Sequence, residues 1–277
     1  MFMYLRIHYN IFKFTSQVLF DKIIIKRGKT MHMPTKRVIK ILKCLSLSDS
    51  PLSLSEISKY TDISISTLQP ILRTLNEYKY ISQNELKQYQ IGIELFKIGN
   101  EYINNNATID IIRNSMKNIV HGCNEITQLG ILDDNNINVI YIAKEEPYQA
   151  IKLMSSVGKA LPAYASALGK SLLSNYNPDI INKIFSTTKL EPLTSNTITD
   201  VNKLIDEINQ VKIDGYSHEK GESDKDIECF AIPVTIRNKI KYSISVSAPI
   251  YRMSSQKTNL IKKTLLDEKI ILDNLLN

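Results

Sequence analysis

The chain has 277 residues, of which 43% are hydrophobic and 23% charged, so it can form two globular domains of ordinary size. It contains no stretch of the roughly 20 apolar residues that a membrane-spanning helix needs. The net charge of +7 is uneven, since residues 93–277 carry 21 Lys and Arg against 22 Asp and Glu, and a basic first third is typical of a module that contacts phosphates.

The first thirty residues are rich in aromatic, basic and β-branched side chains, and they lack the apolar run and cleavage site of a signal peptide. Met31 and Met33 stand just before the first clear helical pattern. We therefore expect residues 1–32 to be an N-terminal extension that is either not part of the native protein or disordered. An anchor at a membrane surface is the alternative, although its apolar residues do not fall on one helical face.

Three short amphipathic helices are predicted after Thr35. The first ends at the breaker Asp49-Ser50-Pro51, and the second begins at Ser53, with Glu56 at the spacing of a capping box. The third follows a tight turn at 61–64 and directs its polar side chains away from an apolar stripe. The apolar positions are Val38, Ile41, Leu42 and Leu45 in the first helix, Leu54, Ile57 and Tyr60 in the second, and Leu68, Ile71, Leu72 and Leu75 in the third.

Two strands, at 80–82 and 89–91, flank a polar turn and complete a winged helix-turn-helix over residues 33–93. In such units the third helix enters the major groove, and the wing meets phosphates. The alternative is a winged helix that serves only protein contacts. We expect DNA contacts from the helix starts, the outer face of the third helix and the wing, at Ser53, Ser64, Ser66, Thr67, Gln69, Arg73, Lys87 and Gln88.

The rest of the chain is predicted to be a linker helix at 94–106 and an α+β domain at 107–277, an antiparallel sheet covered by helices. Leu95, Ile98 and Tyr102 share one face of the linker helix, where we expect two chains to meet. After a first helix, strands are predicted at 126–134, 137–146, 149–156, 227–236 and 241–249. Helices are predicted at 162–176, 178–187 and 200–212 and at the C-terminus.

Residues 158–174 and the strand at 241–249 carry features suited to a ligand. Pro162 fits a first helical turn, and the small residues that follow it let a ligand approach the backbone. N–H groups at a helix start favour an anion such as a carboxylate. Ser243, Ser245 and Ser247 share one face of the strand because side chains alternate.

Several blocks resemble the IclR family of bacterial transcription regulators. Leu52 to Ile81 is similar to the family's N-terminal domain, with Ser66-Thr67 opening the recognition helix and Tyr89-Gln90-Ile91-Gly92 ending the wing. Gly158 to Ser174 is similar to its Gly-x-x-Leu-Pro-x-x-Ala-Ser-x-x-Gly-Lys signature, and 215–234 and 243–252 match its later blocks. One departure is Pro70, where the family has a basic or polar residue; we expect it to make the helix start late or bend, since an interior proline costs about 3 kcal/mol.

The resemblance implies a DNA-binding repressor whose affinity for operator DNA is modulated by a small metabolite, an organic acid for example. It also implies a homodimer or homotetramer. Ala167-Leu168 replaces smaller residues and narrows the expected pocket, and Glu219 would repel a carboxylate unless protonated. The effector residues that the resemblance implies are Leu153, Leu161, Ala167, Leu168, Glu219, Cys229, Ser245 and Ser247.

The sequence gives no support for an enzyme or for a bound cofactor. It contains no GxSxG, P-loop, GxGxxG or HExxH motif. Its three cysteines lie far apart without a CxxC pair, which favours a reducing cytoplasm. The alternative function is a metabolite- or metal-binding sensor, with the metal held by a cluster at His218, Glu219, Glu222, Asp224, Asp226 and Cys229.

Overall fold

The computed structural model describes residues 32–148 and 156–277. The chain divides into two compact units between Asn100 and Glu101. The predicted N-terminal extension, as far as Met31, and the predicted strand at 149–156, as far as Ser155, lie outside the described residues.

The first unit is a winged helix-turn-helix, and the last helix of its sequence continues past Asn100. Its elements are α1 (Met33–Ser46), α2 (Leu54–Thr61), α3 (Ile65–Glu77), β1 (Ile81–Gln83), β2 (Tyr89–Ile91) and α4 (Ile93–Asn104). The two strands form an antiparallel hairpin in which Ile81 pairs with Ile91. Pro34 lies in the first turn of α1, where its missing N–H has no helical partner to lose.

Most of the predicted apolar positions form or pack against the core of the first unit, whereas Val38 is half-buried outside it, and two further predictions need correction. Tyr60 is half exposed, and Thr61 takes the buried position, where its Oγ1 donates to the carbonyl of Ile57 at 2.6 Å. Pro70 does not delay the start of α3, which begins at Ile65 and continues through the proline to Glu77. Because the ring of Pro70 is exposed, it does not take part in the core. The buried apolar residues are Ile41, Leu45, Leu52, Ile57, Ile63, Leu68, Leu72 and Ile81.

The second unit is the predicted antiparallel sheet covered by helices, which confirms the α+β fold class. In the described residues, the strand order of the sheet is β5-β4-β3-β8-β7-β6. The elements are α5 (Ala107–Cys123), β3 (Ile126–Leu132), β4 (Asn138–Glu145), β5 (Ala160–Pro162), α6 (Ala167–Leu173), α7 (Pro178–Phe185), α8 (Val201–Asp214), β6 (Ser217–Lys220), β7 (Ile227–Ile236), β8 (Lys239–Pro249) and α9 (Ser255–Leu276).

Both faces of the sheet are covered, because alternate residues of the central strands pack against different helices. Phe230 and Ile244 belong to the core that includes α5 and α9. Cys229 and Ala231, on the other face, belong to the core that includes α6 and α8. The hydroxyls of the β8 serine row are consequently buried between layers.

The helix predicted to start at Pro162 begins five residues later. Pro162 is the last residue of β5, an edge strand that tolerates proline, and it pairs with Asn138. The helix starts at Ala167 because Ser166 caps it, accepting a hydrogen bond from the Gly169 N–H at 3.1 Å. A Cβ on Gly169 would lie 2.1 Å from the carbonyl oxygen of Ala163, so the turn before α6 packs directly on this glycine.

Within the described residues, no helix is both long and apolar enough to span a bilayer.

Candidate functional site

The outer face of α3 presents polar side chains to solvent. Ser66, Gln69 and Arg73 are exposed, and their spacing places them on one side of the helix. Leu68 and Leu72 on the opposite side are fully buried. The helix is therefore anchored by its apolar side, and the predicted DNA-contacting side is free of core packing.

The start of α3 gathers three predicted hydroxyls. Ser64 Oγ lies 2.9 Å from Thr67 Oγ1 and 3.2 Å from Ser66 Oγ, and the Ser64 side chain does not cap the helix backbone. The first turn of a helix directs N–H groups outward, a geometry that binds phosphate. The hydroxyls and this first turn together offer an anion several hydrogen bonds.

Ser53 has a structural role at the start of α2. Its hydroxyl donates to Glu56 Oε2 at 2.7 Å, and its backbone N–H donates to the same oxygen at 2.8 Å. These bonds hold the pKa of Glu56 below its ordinary value. The hydroxyl proton of Ser53 is therefore already donated to Glu56 within the chain. A contact from Ser53 to DNA stays a prediction.

The two predicted residues of the wing, Lys87 and Gln88, differ in burial and in their hydrogen bonds. Gln88 is half-buried; its backbone N–H donates to Asn84 Oδ1 at 2.9 Å, and its side-chain oxygen accepts from Asn84 Nδ2 at 3.1 Å. Lys87 is exposed at the turn with a φ of 57°. Gln88 thus stabilises the turn through its bonds to Asn84, and the exposed ammonium group of Lys87 is placed to contact a phosphate.

In the second unit, seven of the eight predicted effector residues line one small cavity. Its volume is about 20 Å³, enough for a single water molecule. Leu153 lies outside the described residues. The predicted residues that line the cavity are Leu161, Ala167, Leu168, Glu219, Cys229, Ser245 and Ser247, and Gln128, Tyr141, Ser166 and Ser223 line it with them.

Strand register brings five of these polar side chains together across the sheet, in two neighbouring rows. Gln128 of β3 pairs with Ser245 of β8, Ser247 of β8 with Cys229 of β7, and Cys229 with Glu219 of β6. Each is at least nine-tenths buried. The cavity therefore has a polar floor made of side chains on four neighbouring strands.

Hydrogen bonds join the floor into a chain. Gln128 Oε1 accepts from Ser247 Oγ at 2.9 Å and from Ser245 Oγ at 3.3 Å. The Cys229 thiol lies 3.1 Å from Ser247 Oγ and also bonds Glu219. A ligand that bonds these serines has to compete with Gln128 or use the remaining lone pairs of the hydroxyls.

Burial determines the charge of the floor. Desolvation raises the pKa of Glu219 to about 7, although hydrogen bonds from the Glu222 N–H at 2.9 Å and from Ser223 Oγ at 3.2 Å oppose the rise. Burial also raises the pKa of the Cys229 thiol. Near neutral pH the floor holds a neutral thiol beside a carboxyl that gains and loses its proton.

Lys170 fastens α6 to the loop that follows β6. Its side chain is fully buried, and Nζ lies 2.6 Å from Glu222 Oε1, 3.4 Å from Glu207 Oε2 and 3.3 Å from the carbonyl of His218. Burial raises the pKa of Glu222, and the Lys170 charge opposes that rise. Because the Glu222 N–H bonds Glu219, this ion pair also supports the cavity floor.

The structure separates the residues of the alternative metal cluster. His218 stacks on Phe230 at 4.4 Å between ring centroids and lies 2.9 Å from Glu228 Oε1, on the face of β6 opposite Glu219. Across residues 32–148 and 156–277, no group of three His, Cys, Asp or Glu side chains could hold a metal ion.

A larger hollow of about 600 Å³ lies beside the start of α8, lined by Thr188, Lys189, Leu190, Pro192, Thr194, Ser195, Thr197, Thr199 and Val201. Apart from Leu190 and Thr197, these side chains are half-buried or exposed. The hollow is an open surface feature without the buried polar floor of the small cavity.

Sequence reasoning missed Gln128, Tyr141, Ser166 and Ser223 in the cavity. A signal for Gln128 was present, since its long polar side chain lies in a predicted strand whose apolar residues are Ile126, Leu129, Ile131 and Leu132. Its neighbours on β8 are more than a hundred residues away in the chain, and their alignment depends on strand register. Periodicity within one strand does not specify that register.

Comparison with known families agrees with both units. Residues 34–85 match the IclR helix-turn-helix domain, and residues 100–269 match the family described as bacterial transcriptional regulator IclR C-terminal. The chain belongs to the IclR family. It is thus a transcriptional regulator with a DNA-binding helix-turn-helix and an effector-binding domain, and not an enzyme.

Individual IclR-family proteins are similar over most of the chain. The HTH-type transcriptional regulator KdgR of Escherichia coli (strain K12) is 28% identical over 226 residues, covering 80% of this chain and 84% of KdgR. An IclR transcriptional regulator from Alicyclobacillus acidocaldarius has a TM-score of 0.80 at 21% identity, with 90% and 100% coverage of the two chains. An IclR homolog complexed with 4-hydroxybenzoate, from Microbacterium hydrocarbonoxydans, has a TM-score of 0.72 at 17% identity, with 87% and 99% coverage.

Proposed function

We propose that this IclR-family regulator is a repressor whose operator affinity is modulated by a small polar metabolite in the cavity between α6 and the sheet. The observation that carries the proposal is the set of buried polar side chains on four neighbouring strands, in which Gln128 pairs with Ser245, and Ser247, Cys229 and Glu219 form the adjacent row. A few convergent polar side chains beside a cavity lined otherwise by apolar groups are typical of a ligand site. Two curated relatives, the transcriptional repressor IclR and the transcriptional repressor AllR of Escherichia coli, are named as repressors.

The proposed metabolite is a small organic acid. A carboxylate would be repelled by ionised Glu219 but can accept a hydrogen bond from the protonated form, whose pKa of about 7 keeps it populated near neutral pH. The 4-hydroxybenzoate in the complexed homolog is also a carboxylate. Binding of an acid should consequently take up a proton and weaken as the pH rises above 7.

The size of the cavity explains how binding can change the protein. A volume of about 20 Å³ holds one water, so a metabolite must displace part of the lining, and we propose that α6, with Ala167 and Leu168, is the part that moves. A ligand shifts an equilibrium only if it prefers one of two states. We propose that the wider state of this cavity is the one the effector selects.

We further propose a homodimer, or a tetramer of paired dimers. A single winged helix buries about 600–1,000 Å² on DNA, so control of a particular gene requires two half-sites. No residue of α4 is buried, and Ile93, Phe96, Ile98 and Tyr102 are each more than half exposed. Ile98 and Tyr102 lie on the predicted face together with the half-buried Leu95, and this face is the proposed contact between two copies of the chain.

The first experiment selects DNA from a genomic library with the full-length protein. A recovered palindromic site supports the proposal, and the genes beside it suggest candidate acids. Recovery of no specific DNA contradicts it and favours the alternative that the winged helix serves protein contacts.

The second experiment measures operator affinity, with and without candidate acids, in wild type and in the double variant Ser245→Ala, Ser247→Ala. Loss of two hydroxyl bonds at about 0.5–1.5 kcal/mol each should weaken effector affinity roughly tenfold or more, with operator affinity in the absence of effector unchanged. Ser243→Ala is the matched control, since Ser243 Oγ donates to the Ile232 carbonyl at 2.9 Å and does not line the cavity. A double variant that responds like wild type places the effector elsewhere.

A further inference from the structure

Pro70 lies in the middle of the outer face of α3. It follows Ser66 by four residues, precedes Arg73 by three, and is exposed like both of them. The helix continues through it to Glu77, so the proline is part of the surface that a helix-turn-helix presents to DNA. Any docking in which Ser66 and Arg73 both reach the major groove also brings the Pro70 ring to it.

The chemistry of proline limits what this ring can read. Proline has no N–H, and its side chain has neither a donor nor an acceptor. Its own carbonyl accepts from Thr74 Oγ1 at 3.1 Å. The ring therefore offers only apolar surface, between neighbours that offer hydrogen bonds.

The major groove has one apolar group that could match this surface. Guanine, cytosine and adenine present acceptors and donors there, whereas thymine presents a C5-methyl group beside its O4 acceptor. A ring placed against a donor or acceptor would remove water from it without replacing the hydrogen bond, which is unfavourable. Contact with a methyl group removes apolar surface from water on both sides, which is favourable.

We propose that Pro70 is a specificity-determining residue that contacts the 5-methyl group of a thymine in each operator half-site. The inference rests on the proposed operator binding, and it adds the identity of one base. Proline is unfavourable in a helix interior, because it lacks the backbone N–H and its ring presses on the preceding turn, yet α3 carries one at an exposed position of its outer face. Since the ring replaces a helical N–H, substitution by serine restores the backbone donor and removes the apolar contact.

The test replaces each thymine of the selected operator in turn by uracil, which lacks only the methyl group. Operator affinity is measured by fluorescence anisotropy at one fixed salt concentration, with wild type and with Pro70→Ser. For wild type, we expect one sensitive thymine in each half-site. Replacing either one of them by uracil should weaken binding about fourfold, the effect of one buried methyl group. For Pro70→Ser, thymine and uracil at that position should bind equally well.

The control is Thr74→Ala, one turn further along the same helix, which removes the hydrogen bond to the Pro70 carbonyl but leaves the ring in place and should retain the full preference for thymine. Folding of the variants is checked by thermal unfolding. The uracil scan with wild type tests for a methyl contact even if a variant does not fold. If no thymine is sensitive to loss of its methyl group, or if Pro70→Ser keeps the sensitivity, the inference is wrong while operator binding stands. If no operator is recovered, the proposed function fails and this inference fails with it.

Discussion

The outer face of α3 and the cavity beside α6 hold similar side chains in opposite environments. Ser66 and Arg73 are exposed, whereas Ser245 and Glu219 are at most 2% exposed and hydrogen-bonded to other side chains. An exposed hydroxyl exchanges a water for a ligand at little cost to the fold. A buried hydroxyl is part of the hydrogen-bonded fold even without a ligand, so its substitution should change stability and binding together. Substitution of the exposed polar side chains of α3 should change binding alone.

The largest expected effect comes from the ion pair behind the cavity. Lys170→Met leaves the Glu222 carboxylate buried without its cation and should lower the free energy of unfolding by about 3–5 kcal/mol. The measurement is urea unfolding of the full chain, followed by circular dichroism. Adding Glu222→Gln removes the uncompensated charge and should recover much of the loss.

The matched control is Lys189→Met, which breaks the exposed pair between Lys189 and Glu191. Exposed pairs contribute about 0–1 kcal/mol, so this variant should unfold almost as wild type does. Equal stability of Lys170→Met and Lys189→Met would show that burial of the first pair has no energetic consequence, and the contrast between the two environments would not hold.

The next effect is a dependence of stability on pH. Since the folded pKa of Glu219 is raised from 4.5 to about 7, the folded state binds the proton more tightly than the unfolded state. The resulting stabilisation is fully present below about pH 4.5 and is lost as the pH rises through 7. Relative to Glu219→Gln, wild type should lose about 3 kcal/mol between pH 4.5 and pH 8.

Urea unfolding of both proteins across this pH range tests the expectation, and the difference between them isolates this one carboxyl. Parallel pH profiles of wild type and Glu219→Gln would show that Glu219 titrates alike in the folded and unfolded states. In that case burial in the cavity would not control its charge, and the proposed proton uptake with an acidic effector would lose its basis.

The same contrast explains how far the sequence could predict the structure. Residues on α3 were assignable because a helix with one buried stripe has a predictable outer face, as Leu68 and Leu72 opposite Arg73 illustrate. The fold class followed from the alternation and spacing of apolar residues. The boundary at Ala167 was missed because a serine cap, and not the earlier proline, starts the helix.

Contacts across the sheet could not be predicted from local pattern. Lys170 belongs to the Gly-Lys pair of the family signature, but its partner Glu222 is 52 residues away and reaches it from a loop. Gln128 lies opposite Ser245 only because β3 and β8 are neighbours in a particular register. The family resemblance placed the cavity residues in a common pocket, and the hydrogen bonds that connect them came from tertiary structure.

A smaller effect is expected on the outer face of α3. Arg73→Ala should weaken specific operator binding by about 1–3 kcal/mol if the guanidinium bonds a base edge, and it should leave unfolding unchanged because the side chain is exposed. Operator affinity and urea unfolding of the same variant are the two measurements. A loss of stability comparable with that of Lys170→Met would contradict the separation between the two regions.

The smallest effect concerns the wing, where Lys87 lies exposed in a left-handed backbone conformation. Lys87→Asn removes the cation and suits this conformation, since asparagine tolerates positive φ better than most residues. Loss of one phosphate contact per half-site should weaken all sequences alike. For each chain, the slope of log affinity against log salt concentration should become shallower by about 0.9.

The matched control is Lys79→Asn. Lys79 is also exposed with a positive φ of 61°, but it precedes β1, whereas Lys87 follows it at the wing turn. Titrations of operator and of unrelated DNA at several salt concentrations should give a changed slope for Lys87→Asn on both DNAs and an unchanged slope for Lys79→Asn. If both variants change the slope equally, the lysines act through net charge alone. If Lys87→Asn weakens operator but not unrelated DNA, the wing reads bases, and the division between base contacts on α3 and phosphate contacts on the wing is wrong.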